Sequence, residues 1–506
     1  MNLTQLLDHW HIVENPFTGE EARRDAVFAR LAAAGGSAPA HSDLDKIAGS
    51  LDKPSSSVVF GEKGSGKTAL RIQIVERVRR HNASGAPALW IVAYDDLNPA
   101  LDALCHNSAA EPAEALKKLR QVDHLDAVLS YAVTQIVDQL LDRPSRDAPT
   151  ALPADALRTL RRADRATREH AALLQAVYDR SDRSPDRARR LASALRLGRS
   201  WPRAALRALA VLGWLPAAAA LATPALAETG LAPRFWQVLS AILAALWLLL
   251  LAKVGFVDPL RERKLARRLK RQLRTMRRTD DAWRRAIRPL GAAQRNPLVL
   301  PLSGSDEPRY AMLERLRRLL APLGFAGILV MVDRIDEPTV VSGDAERMRA
   351  VVWPLLTNRL LQHDALAVKI LLPVELRHLL LKESGAFFQE ARLDKQSLVE
   401  RLAWTGAMLY DLCEARLHAC LAHGSPPLSL RDLFDDDVSR QDIVDALDQM
   451  HQPRDAFKLL YRCLAEHCSN VTAEDDRWRV PRPILEQVKK LEAERVQQLA
   501  RGIRPA

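Results

Sequence analysis

An α/β fold with a parallel sheet, interrupted by a large helical insertion and closed by helices, is predicted by three features of the sequence. Continuous apolar runs at 57–60, 88–94, 327–332 and 367–373 end in a turn, an acid or a proline, as strands buried on both faces do. Segments with apolar residues every three or four positions lie between them, the alternation that a parallel sheet requires. From 112 to 295 that alternation stops and the pattern is helical, so one sheet is expected from two separated halves.

The 506 residues, 48% hydrophobic and 27% charged, have the composition of a folded protein with several domain-sized units. Five cysteines (Cys105, Cys413, Cys420, Cys463, Cys468) form no Cys-x-x-Cys pair and no even framework, which points to a reducing compartment and buried thiols. Cys413 and Cys420, with His418 and His423 nearby, lack the tight pair of a structural zinc site. The first thirty residues contain Asp8, Glu14, Glu20, Glu21 and Asp25 and no apolar core segment, so a cleaved secretory signal is not expected. The net charge of +12 is unevenly placed. Between 151 and 290, 29 Lys and Arg face 11 Asp and Glu, while the remainder holds 45 against 51. The basicity belongs to the insertion, which disfavours a nucleic-acid partner for the body of the protein.

In chain order, Asn15-Pro16-Phe17 is a turn signal, followed by an expected helix over 20–34 that Gly35-Gly36-Ser37 ends and a short helix before residue 57. The strand at 57–60 then breaks into Gly61-Glu62-Lys63-Gly64-Ser65-Gly66-Lys67-Thr68. Three glycines let the backbone curl so that its N–H groups converge on a nucleotide phosphate, and the helix over 68–80 adds the positive end of its dipole. Lys67 is expected to neutralise phosphate oxygens and Thr68 to offer its hydroxyl to Mg2+. The run 88–94, closed by Asp95-Asp96-Leu97-Asn98-Pro99, reads as the next strand.

Within the insertion, arginines accumulate before 20 uncharged residues (208–227); a polar link with Glu228 and Arg234 leads to 18 more (235–252). Two membrane spans, about 204–227 and 235–254, are expected, the second richer in Leu, Ile, Val and Phe and the first broken by Pro216 and Pro224. A buried helical pair in a soluble body is the alternative. The helix over 261–278 carries a narrow stripe of Leu265, Leu269, Leu273 and Met276; it either lies on an anionic lipid leaflet or is a solvated charged helix. Basic flanks place both ends of the spans, and with them the nucleotide-binding part, on the cytoplasmic side of a multi-pass inner membrane protein.

The strand at 327–332 ends in Asp333-Arg334-Ile335-Asp336-Glu337-Pro338. An acid at the C-terminal edge of a buried strand is what a magnesium-bound nucleotide needs opposite its phosphate loop, and Asp333 is the candidate. These parts, with the apolar pair inserted between them, resemble the KAP group of P-loop ATPases within the STAND and origin-recognition-like AAA+ class. The resemblance implies ATP and Mg2+ as cofactors and a C-terminal helical lid. Gln452-Pro453-Arg454-Asp455 matches the lid pattern and makes Arg454 the candidate phosphate contact. The strand at 367–373 lacks the polar sensor of that class, and Arg334 stands where many relatives carry a glutamate that orients water. Asp336 and Glu337 are then the candidate bases.

The expected organisation is 1–111 for the first part of the nucleotide-binding core, 112–295 for the insertion, 296–395 for the second part, and 396–506 for the helical lid. The lid helices are expected at 396–423, 439–450, 454–467 and 483–500. The function expected is a membrane-anchored ATPase coupling nucleotide state to conformation or self-assembly, in signalling or phage defence by resemblance. Arg334 keeps open a nucleotide switch with little hydrolysis, and the basic total an origin-recognition-like DNA-binding ATPase; a homo-oligomer is compatible with each.

Overall fold

Five strands form one parallel sheet in the order β2-β3-β4-β1-β5: β1 (Ser57–Gly61), β2 (Ala88–Tyr94), β3 (Phe325–Val332), β4 (Leu366–Pro373) and β5 (Ser397–Val399). The computed structural model describes every residue except 20, 34–38, 86, 109–110, 143–147, 198–200, 227–232, 365, 473–474 and 501–506. β4 lies between the strand that enters the glycine loop and the strand that ends at Asp333, pairing Gly61 with Pro373 and Val332 with Ile370. β-branched and leucine side chains fill both faces, and every residue of β1 and β4 is buried.

One buried strand residue is a lysine. Lys369 Nζ donates to the carbonyls of Ile47, Ala48 and Ser55 at 2.6, 3.0 and 2.7 Å, so three N–H groups meet three acceptors inside the core. Burial pulls its ammonium down to about 8.

The chain divides into two compact units, 1–96 with 327–506, and 97–326. In the first, the sheet packs on the helix Lys67–Ala83 through Val59, Leu70, Ile74, Val78 and Leu371. A second cluster joins the helices Leu3–His9, Gly406–Ala419, Arg440–Asp448 and Pro453–Asn470. Three expectations change here. Residues 396–405 are not helical: Ser397–Val399 pairs with β1 as a fifth strand, and the helix begins only at Gly406, where Thr405 caps it. The first long helix begins at Ala26, because Asp25 accepts the Phe28 amide and caps the turn there; residues 20 and 34–37, its expected ends, lie outside the described residues. The strand at 327–332 starts two residues earlier, at Phe325.

The second unit is helical. Asp126, Tyr178 and Arg309, from three helices, meet at its centre: Arg309 Nε and Nη2 donate to the Asp126 carboxylate at 3.2 and 3.1 Å, and Tyr178 Oη donates to it at 2.9 Å. Both charged groups are fully buried, so this unit is built around an internal ion pair.

The helices Trp201–Leu212 and Leu215–Leu226 replace the single first span expected at 204–227. A turn at Gly213 and Trp214 separates them, with the Gly213 amide on Leu209 O at 2.7 Å and Pro216 supplying no donor to the turn before it. Glu228 of the expected link lies outside the described residues. Pro233–Ala252 continues through a π-helical turn, Lys253–Val257, into Asp258–Gln272. Among the described residues one helix, Arg234–Gln272, is long and apolar enough to cross a membrane; Ala208–Thr223 is apolar but shorter. The two pack together, with Ser240 Oγ donating to Ala217 O at 2.8 Å and Trp247 Nε1 to Ala210 O at 3.0 Å. Most large apolar side chains that are exposed lie between 209 and 260, among them Leu212, Leu246, Leu249 and Phe256.

The expected amphipathic helix at 261–278 ends at Gln272, and Leu269, Leu273 and Met276 of its stripe are buried in the helical unit. Arg263, Lys264, Arg267, Arg268 and Arg271 are left on the exposed side.

Candidate functional site

At the C-terminal end of β1 the chain must turn through Gly61 to Gly66 before the helix Lys67–Ala83 starts. Gly64 and Gly66 take φ of 103° and 90°, the left-handed region that glycine tolerates. A Cβ on Gly61 would lie 2.5 Å from Ser65 Oγ, and one on Gly64 2.7 Å from Gln452 Oε1, so the loop is as tight as its glycines allow. Ser65 Oγ is buried and has no hydrogen-bond partner among the described residues.

Lys67 Nζ lies back over the loop and donates to Gly61 O and Glu62 O at 2.7 and 2.9 Å. Burial pulls its ammonium below the ordinary value, and Asp333, Asp336, Glu375 and Glu62 pull it back. Thr68 Oγ1 donates to Asp333 Oδ2 at 3.3 Å across 265 residues of sequence. The buried Asp333 carboxyl is pushed up by desolvation, while Arg71, the Arg334 amide and Lys67 hold it down.

Arg334 follows with φ 59°. Its amide donates to Asp333 Oδ1 at 3.0 Å, and its guanidinium pairs with Glu21 at 2.8 Å and Glu337 at 2.9 Å. Glu337 is therefore an exposed, ion-paired carboxylate, and Asp336 is half-buried with its charge felt at Lys67.

The C-terminal part reaches the loop as well, mostly through residues outside its helices. Gln452 Nε2 donates to Glu62 Oε2 at 2.5 Å and Arg401 Nη2 to Glu62 Oε1 at 2.8 Å. Trp404 Nε1 donates to Ser65 O at 2.9 Å. Arg454 Cβ and Cδ lie 3.3 and 3.5 Å from a Cβ built on Gly64, which puts Arg454 beside the loop. The structure thus brings together Gly61, Glu62, Gly64, Ser65, Gly66, Lys67, Thr68, Asp333 and Arg454, with Asp336 and Glu337 at the edge. Lys63 is an exposed residue of the same loop.

Sequence reasoning missed Arg71, Asp95, Arg23 and Glu21. Arg71 Nε lies 3.4 Å from Asp333 Oδ2, and its Nη1 lies 3.1 Å from Asp95 Oδ2, which Arg23 also pairs. The available signal was position: Arg71 is four residues beyond Lys67 on the same helix face, and Asp95 directly follows β2. Glu21 and Arg23 left no signal, because the fold alone brings that segment across the strand ends.

Cys413 and Cys420 are buried and His418 faces a backbone carbonyl. Burial pushes the Cys413 and Cys420 thiols up to about 12 and about 11, His418 Nε2 lies 3.0 Å from Leu428 O, and no group of three or more metal ligands occurs among the described residues.

The site can present loop amides, a lysine and a hydroxyl to an anionic ligand, with the buried Asp333 carboxylate beside the hydroxyl as an oxygen donor for a cation. No protein-family model matches the chain, and no curated protein matches it in sequence.

Proposed function

We propose that this chain is a magnesium-dependent ATPase whose site is the loop from Gly61 to Thr68 with Asp333, anchored in a membrane through its apolar helices. The observation that carries the reading is the 3.3 Å approach of Thr68 Oγ1 to Asp333 Oδ2 beside Lys67. A hydroxyl and a carboxylate so close, at the C-terminal ends of parallel strands, fit the hard oxygen donors that Mg2+ accepts together with phosphate oxygens. The orphaned Ser65 Oγ and the positive-φ glycines fit a cradle built for a ligand rather than for internal hydrogen bonds. When bound, the metal neutralises charge on the β and γ oxygens.

Lys67 turns from the loop carbonyls to the phosphate, and Arg454 adds charge from the lid. Asp336 or Glu337 takes the proton of the attacking water as its oxygen bonds to the γ-phosphorus and the bond to the bridging oxygen breaks. The parts and their order resemble the KAP group of P-loop ATPases, and signalling or phage defence is the role that this resemblance suggests.

Anchoring rests on the exposed apolar side chains of Arg234–Gln272 and on the basic turns that follow them; Ala208–Thr223 is proposed to insert as its partner, with the nucleotide site on the cytoplasmic side. Lys67→Ala in full-length protein should abolish ATP binding, and Asp333→Ala should abolish magnesium-dependent turnover; unchanged activity in both rejects the reading. Carbonate washing should leave the protein in the membrane fraction, and release into the supernatant rejects the anchor.

A second reading, a switch that holds nucleotide without turning it over, is favoured by the pairing of Arg334 with Glu337. Tight binding with no phosphate release in the wild type selects it. The DNA-binding reading has no comparable observation, since the excess positive charge sits in the unit that carries the apolar helices.

A further inference from the structure

We infer that Arg71, backed by Asp95, is a positioning residue that admits a divalent cation to Asp333 only together with the nucleotide; this rests on the nucleotide reading above. Asp333 Oδ2, the oxygen that faces Thr68, is also the one that Arg71 Nε approaches at 3.4 Å. The arginine already supplies the positive charge a metal would bring there. Asp333, Asp95, Arg71 and Arg23 form a chain of alternating charge whose formal sum is zero, and their side chains keep only 2, 16, 12 and 34% of their exposure.

A cation arriving alone adds two positive charges to a balanced and poorly screened cluster, and it meets a guanidinium at the oxygen it needs. A cation arriving with nucleotide brings the compensating phosphate charge. Arg71 can then withdraw to Asp95, 3.1 Å from its Nη1, so that neither charged group is left buried and unpaired. Arg71 can do this because it stands one helical turn beyond Lys67 and faces the strand ends from the same side of the helix. Arg23 pairs with the same Asp95 oxygen, Oδ2, and so helps hold it in place.

The test uses full-length protein and Mn2+ as the probe, with binding followed by calorimetry and by the electron spin resonance of the free ion. Wild type should bind Mn2+ weakly without nucleotide. Arg71→Gln should bind Mn2+ alone tighter by about tenfold or more, and Arg71→Lys, which keeps the charge, should stay near wild type. Asp95→Asn works in the opposite direction: it leaves Arg71 with Asp333 as its one carboxylate and should raise the Mn2+ needed to retain a fluorescent ATP analogue by about tenfold.

Free Mn2+ binding by Arg71→Gln no tighter than wild type overturns the inference. Should that variant not fold, an unchanged or lower Mn2+ requirement in Asp95→Asn overturns it. Binding of the fluorescent analogue at saturating Mn2+, with its loss in Lys67→Ala, is measured in parallel, so a failure of the nucleotide reading is seen separately.

Discussion

Arg334, at φ 59°, decides where three carboxylates stand. Its amide fixes Asp333 toward Thr68, its guanidinium occupies Glu337 and Glu21, and Asp336 is left outside these bonds with its charge, like that of Asp333, felt at Lys67. If the site hydrolyses ATP, Asp336→Asn should lower turnover by about 100-fold or more with ATP affinity kept, and Glu337→Gln by less than about tenfold. Steady-state phosphate release measures both, and the reverse ranking would assign the base to Glu337.

Lys369 gives a second prediction at this scale. Its three carbonyl partners suit a charged ammonium at neutral pH, and replacing it by Met orphans them, at a cost of about 3 kcal/mol at pH 7 in a urea titration. Its folded value of about 8 lies below the ordinary lysine value of 10.5. Between these values the unfolded chain holds a proton that the folded chain has released, so this group adds stability as pH rises from about 8 toward 10.5. Urea midpoints across that window should rise more in the wild type than in Lys369→Met; parallel curves would contradict the shift.

Among the elements, the helix Arg234–Gln272 separates two environments. Its first half exposes Val238, Ile242, Leu246, Leu248 and Leu249, and its second half exposes basic residues while Ala266 and Leu269 pack into the helical unit. Leu246→Arg, near the middle of the apolar half, should cost about 3 kcal/mol of insertion and weaken carbonate-resistant pelleting, whereas Arg268→Leu on the basic half should not. Equal pelleting of Leu246→Arg and wild type would argue that this helix is not in lipid.

The element that periodicity could not identify was β5. Three residues are too few to carry a period, and what makes Ser397–Val399 a strand is the open edge of β1 beside it. The helix expected at 261–278 stops at Gln272 for a similar reason: its last stripe residues, Leu273 and Met276, are recruited into a core that lies outside the helix itself.

For the whole molecule, the two compact units set how a ligand stabilises the protein. The loop, Asp333 and the residues that bond Glu62, Gln452 and Arg401, all belong to the unit 1–96 with 327–506. Magnesium-ATP at 100 times its dissociation constant should therefore stabilise that unit by about 2.7 kcal/mol and leave the other unchanged. Scanning calorimetry should show a single shifted transition on adding nucleotide, and a shift of every transition would show that the units unfold together.

The strands β1 to β4, the glycine loop, Asp333 and the uncharged helical runs were legible before any folding, because each is written in local composition: apolar continuity, glycine spacing, an acid at a strand end. Arg454 was suggested only by the resemblance of 452–455 to a lid pattern, and the structure sets it beside Gly64. Folding alone set Arg71 against Asp333, with Asp95 and Arg23 behind it and Glu21 on Arg334, brought Glu62 to Gln452 and Arg401, and satisfied Lys369 inside the core. Those contacts join residues up to about 400 positions apart. Such pairs are set by which strand lies beside which, and that order is a property of the assembled sheet rather than of any segment within it.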